Sequence, residues 1–136
     1  MRYCALLLAL VLLLSGCEKT VEQKQLDALM ELITSGQWKV TSFKQDNSDI
    51  TSRFAPYSFQ FRRNETVEAL KNGVVDKTGT WVGNATARTI QSSFGNVEEP
   101  LRLLNGTWQI TKTSTTFVEA NQRINAETRT LRLDKL

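Results

Sequence analysis

The sequence predicts an all-β body of eight short antiparallel strands, a sandwich or a closed barrel, behind an exported N-terminus and one amphipathic helix. Three observations carry this. An apolar run ends at Cys17, a helical apolar stripe lies between residues 21 and 35, and period-two alternation fills the chain from Gln37 onward with turn signals about every ten to twelve residues.

Arg2 precedes an unbroken apolar run, Ala5 to Leu14, that ends in Leu14-Ser15-Gly16-Cys17. These are the charged start, apolar centre and small-residue exit of a secretory signal. A spanning helix needs about 20 apolar residues, and Ser15, Gly16 and Glu18-Lys19 cut this run at about half that length. Residues 1–16 are therefore expected to be a signal peptide. The exit residues resemble the lipobox of bacterial lipoproteins at all four positions. That resemblance implies a diacylglyceryl thioether on Cys17, cleavage before it and acylation of the new amine, with residues 17–20 as a lipidated tether. One acyl chain holds a protein to a bilayer only marginally, whereas two or three attach it durably. Glu18 stands where Asp is the better-known inner-membrane retention signal, so the outer membrane is expected over the inner.

Composition narrows the function classes. Without Arg2, sixteen of the 17 Lys and Arg remain against 14 Asp and Glu, scattered in short alternations. Nucleic-acid binding needs clustered basic residues with aromatics between them; Arg62-Arg63 and the spaced Arg129, Arg132 and Lys135 read instead as solvated strand faces. The chain contains no histidine, which removes the commonest general base and transition-metal ligand. Cys4 falls in the signal and Cys17 is acylated, so no free thiol, disulfide or thiolate metal site is expected. Glu98-Glu99 on a turn and Asp46 and Asp49 in a loop are not held as catalytic pairs. A non-enzymatic protein with no cofactor and no metal is expected, and a monomer.

The helix is expected from about Val21 to Ser35. Thr20 and Gln23 have the form of a capping box, Gly36 stands where a helix stops, and Leu26, Leu29, Met30 and Ile33 share one face. The opposite face carries Glu22, Lys24, Asp27 and Glu31, too acidic for a membrane surface, so the stripe should pack on the body.

Trp38 and Val40 open the first strand, and Asp46 to Pro56 is a long connection. Tyr57, Phe59 and Phe61 alternate along the second strand, and Val67 and Ala69 along the third. Asn72-Gly73 is a hairpin signal, because both central residues of a type I′ turn need positive φ. The fourth strand runs from Val75 to Val82 with Gly79 and Trp81 on one side, and Gly83 to Thr86 form the next turn. Ile90, Ser92 and Phe94 mark the fifth strand. Pro100 and Gly106 bracket a short helical turn with Leu101, Leu103 and Leu104. Trp108 and Ile110 mark the sixth strand, Thr116 to Ala120 the seventh, and Arg129, Leu131 and Leu133 the eighth.

A glycine followed two residues later by tryptophan occurs three times, at Gly36-Gln37-Trp38, Gly79-Thr80-Trp81 and Gly106-Thr107-Trp108. Taken alone these are core anchors spaced by strand length. The first, directly after a helix, also resembles the Gly-x-Trp signature of the lipocalin superfamily. The wider layout is similar to small lipocalin-like lipoproteins of Bacteroidetes-type bacteria: Trp38-Lys39-Val40, Phe59-Gln60-Phe61, Leu104-Asn105-Gly106-Thr107-Trp108 and Leu131-Arg132-Leu133. The likeness covers nearly the whole mature chain, and it implies an eight-stranded antiparallel up-and-down barrel over residues 21–136 with Trp38 plugging its closed end. The family's Thr-Asp-Tyr motif is absent. The basic residue that would cover the Trp is Arg129 or Arg132.

The expected interior, and any ligand site, is built from Trp38, Phe59, Phe61, Trp81 and Trp108, with Phe94 and Phe117 adding to it. These rings could fill a small barrel or leave room for one ligand. Two functions follow: a membrane-anchored module taking up a small hydrophobic ligand, or an envelope scaffold or inhibitor with a solid core that meets a protein partner through Asp46 to Pro56 and Gly95 to Pro100.

Overall fold

The computed structural model describes residues 18–136. The expected signal peptide, 1–16, and the lipidation residue, Cys17, lie outside the described residues. Helix α1 spans Glu18–Thr34 and is followed by nine strands: β1 (Trp38–Gln45), β2 (Ser48–Asp49), β3 (Tyr57–Phe61), β4 (Thr66–Lys71), β5 (Val74–Asn84), β6 (Thr89–Ser93), β7 (Gly106–Thr113), β8 (Phe117–Ile124) and β9 (Glu127–Lys135). Each of β3 to β8 pairs antiparallel with the next, and β9 pairs back onto β1 from Trp38↔Lys135 to Gln45↔Arg129. Eight strands thus close a barrel, and the two-residue β2 is a flap paired with the end of β1. The strands and the core they share all fall within 38–136 apart from Ile33 of α1.

The seam between β1 and β3 is thin, with the single register pair Trp38↔Phe59. Ser58 hydroxyl to Gln37 and Lys39 Nζ to the Ala55 carbonyl, 2.8 Å, reinforce it. Asn72 (φ 52°) and Gly73 (φ 83°) make the expected hairpin.

Alternation sorts the side chains as period two requires. Tyr57, Phe59 and Phe61 face in with Val67 and Ala69 across the ladder, and Val40, Phe43, Ile110, Val118 and Leu131 complete the wall. The connection expected over Asp46 to Pro56 holds β2 and a 3-10 turn, Thr51–Phe54, which pushes Phe54 fully into the core to stack on Phe43 at 4.9 Å. A second 3-10 turn, Leu101–Leu104, buries Leu101, Leu103 and Leu104.

Three expectations are corrected at element ends. α1 begins at Glu18, ahead of the expected Val21, so Thr20 stands inside the helix and not at a cap. β5 runs on to Asn84, displacing the turn after it to 85–88. Phe117 faces outward from β8, because Val118, Ala120 and Gln122 take the inward phase; Arg132 covers its ring at 4.2 Å.

Candidate functional site

The barrel has two unlike ends. At the helix end, where β1 starts, α1 lies across the opening with Ile33 buried and Leu29 and Met30 packed on the core. At the other end, two connections fold over the mouth: 46–56, which inserts Phe54, and 94–105, which inserts its three leucines. An exposed ion pair, Arg53–Glu99 at 3.5 Å, joins them, and a pair so exposed adds little.

An apolar void of about 50 Å³ lies between these closures. Of the expected site residues, Trp38, Phe59, Phe61 and Trp108 line it, together with Phe94. Trp81 does not. It is buried, but it packs edge-on against Phe61 at 5.5 Å and its Nε1 donates to the Arg62 carbonyl at 2.9 Å. Leu104, from the 3-10 turn, reaches the void, and Ser92 is the one polar residue on its wall.

The three Gly-x-Trp repeats share a function visible only in three dimensions. Each indole N–H fastens a connecting segment to the barrel: Trp38 binds the Ile33 carbonyl of α1 at 2.8 Å, Trp81 the turn after β3, and Trp108 the Leu104 carbonyl at 3.0 Å. A buried indole N–H left without an acceptor is costly, so each ring fixes both its own pocket and the backbone beside it.

The mouth segment 94–105 is held almost wholly through backbone oxygens. The Leu104 carbonyl accepts from Ser92 Oγ, 2.6 Å, as well as from Trp108. The Asn105 carbonyl accepts from Gln122 Nε2 at 3.0 Å, and the Leu103 carbonyl from Arg129 Nη1 at 3.4 Å. Asn105 also clamps the segment on itself, its Oδ1 accepting from Phe94 N at 2.7 Å and its Nδ2 donating to the Gly95 carbonyl at 3.1 Å. Gln122 is 5 % exposed, and the Arg129 side chain is 13 % exposed and paired with Glu127 at 2.6 Å. Gln45 in turn donates to Glu127.

Neither candidate for the basic residue over the signature tryptophan holds that place. Arg129 serves the opposite mouth, and Arg132 lies outside on Phe117, bound to Glu119 and Asp134. Lys135 Nζ stands over Trp38, 5.2 Å from the ring centroid. Lys135 follows Leu131 and Leu133 in period two, which is the signal that could have identified it.

No protein-family model matches the chain, and no curated protein does. Among solved structures, the chain is similar to a crystal structure of a DUF4847 family protein from Bacteroides vulgatus, at 12 % identity and a TM-score of 0.56, over 78 % of this chain and 96 % of that one. Similarity at that identity is one of fold. What is shared is a closed antiparallel barrel, here of eight strands behind an N-terminal helix.

Proposed function

We propose that the chain is a non-enzymatic lipoprotein of the bacterial cell envelope, anchored through acylated Cys17 in the outer membrane rather than the inner, whose lipocalin-like barrel binds a small hydrophobic ligand as a monomer. The single observation that carries ligand binding is the apolar void, closed at one end by a connection and not by strands. The absence of histidine and of any thiol outside Cys4 and Cys17 supports the non-enzymatic reading.

The size of the void favours a second reading. At about 50 Å³ it is a third of the roughly 150 Å³ cavity that admits benzene, and ligand pockets span about 300 to 1,000 Å³. A barrel that stays closed would act from outside, as a scaffold or inhibitor meeting a protein partner through 46–56 and 95–100. Titration of the chain from Glu18 onward with a fluorescent fatty-acid probe separates the two. Saturable uptake supports the interior site, and none at probe concentrations below micelle formation supports the solid barrel.

A further inference from the structure

The geometry points to segment 94–105 as a built-in stand-in for the ligand, so that the site beneath it takes an acyl compound carrying oxygen acceptors. This rests on the interior-site reading above and names its ligand class. Four donors from the barrel wall converge on three successive backbone carbonyls of the segment: Arg129 on Leu103, Ser92 and Trp108 on Leu104, and Gln122 on Asn105. Each donor is buried or nearly so, and all four stand on paired strands of the wall. Beside those carbonyls the Leu104 side chain enters the void.

The segment therefore presents the barrel with a branched aliphatic group next to a row of acceptor oxygens. If it lifts away, Ser92 Oγ and the Trp108 indole N–H lose their acceptor, while Gln122 keeps the Thr107 carbonyl at 3.4 Å and Arg129 keeps Glu127 and Gln122. A buried donor left without an acceptor is expensive. A plain hydrocarbon could refill the leucine space but would leave Ser92 and Trp108 unmet and Gln122 and Arg129 each one acceptor short. A ligand with a carboxylate, ester or amide oxygen meets them and places its alkyl chain along the leucine space and the void. Arg129 keeps Glu127 as its ion-pair partner throughout, so a neutral carbonyl serves as well as a carboxylate.

The test uses the chain from Glu18 onward, octanoic acid, methyl octanoate and octane as probes, and amide hydrogen exchange over 94–105 as the readout. Both oxygen-bearing probes should speed exchange of 94–105 at saturation while β8 and β9 stay protected, and should bind about tenfold or more tighter than octane. Replacing Gln122 by Leu and Arg129 by Met should shrink that preference. Equal binding of all three probes, or saturable binding with 94–105 still protected, overturns the stand-in and leaves the interior site intact. No saturable binding of any probe, to this chain or to the Leu104→Ala variant, overturns both.

Discussion

The two ends of the barrel are closed by different chemistry. At the helix end, Trp38 is fully buried, takes the Ile33 carbonyl and lies under Lys135, while Ile33 and its neighbours on α1 supply apolar contact. At the mouth, the closing segment contributes leucines, but its backbone is held by Ser92, Trp108, Gln122 and Arg129. Apolar contact excludes water and has no substitute, whereas a hydrogen bond to a carbonyl can be exchanged for one to another oxygen. On the stand-in proposal the mouth is the end that exchanges its contents, through hydrogen bonds that another oxygen can take over.

The largest expected effect tests the permanent end. Trp38→Ala empties a fully enclosed ring site and removes the bond to α1, and urea unfolding should show a loss of about 4 kcal/mol. Gly79→Ala comes next. A Cβ there would stand 2.3 Å from the Ser93 carbonyl and 2.9 Å from Phe94, just where β6 leaves the sheet to become the mouth segment, and about 2–3 kcal/mol should be lost through overpacking. Leu104→Ala should cost about 2 kcal/mol, the low end for a buried leucine, because a connection can settle into the gap more easily than a strand.

Gly106→Ala sharpens the contrast more gently. Its φ is 108° and an added Cβ would meet Gln122 Nε2 at 2.5 Å, pushing the amide off the Asn105 carbonyl. A loss of about 1 kcal/mol is expected, with faster exchange confined to 94–105. The smallest effect lies on the outer wall. Bonds from Arg132 and Thr41 hold the Asp134 carboxyl below its ordinary range, so its contribution is full above the unfolded value of about 3.9 and is lost as the pH falls through the lower folded value. Asp134→Asn should remove about 0.5 kcal/mol at neutral pH and flatten the stability profile below pH 4.

Much of this was legible in the sequence. Alternation through Tyr57, Phe59 and Phe61, the Asn72-Gly73 turn and the leucines after Pro100 gave strand, hairpin and plug their places, because a period of two and a positive φ leave few alternatives. Phe117 was misplaced because it adjoins Val118, and an apolar residue on each side of a strand leaves the inward phase undecided until β9 sets the register. Gln122 and Arg129 were missed for the opposite reason. Both are in phase with inward neighbours, Gln122 with Val118 and Ala120 and Arg129 with Leu131 and Leu133, yet polar residues are assigned to solvent by default. Only the carbonyls that meet them, brought from 17 and 26 residues away, explain their burial.

The most direct measurement is native-state hydrogen exchange of the ligand-free chain from Glu18 onward, comparing the amide of Phe94, bound to Asn105, with the amides of β1 around Trp38. Exchange of Phe94 through local opening, at least about a hundredfold faster than the β1 amides and insensitive to low denaturant, is the expected result. Phe94 and β1 exchanging together, only by global unfolding, would contradict a mouth that opens while the barrel stands.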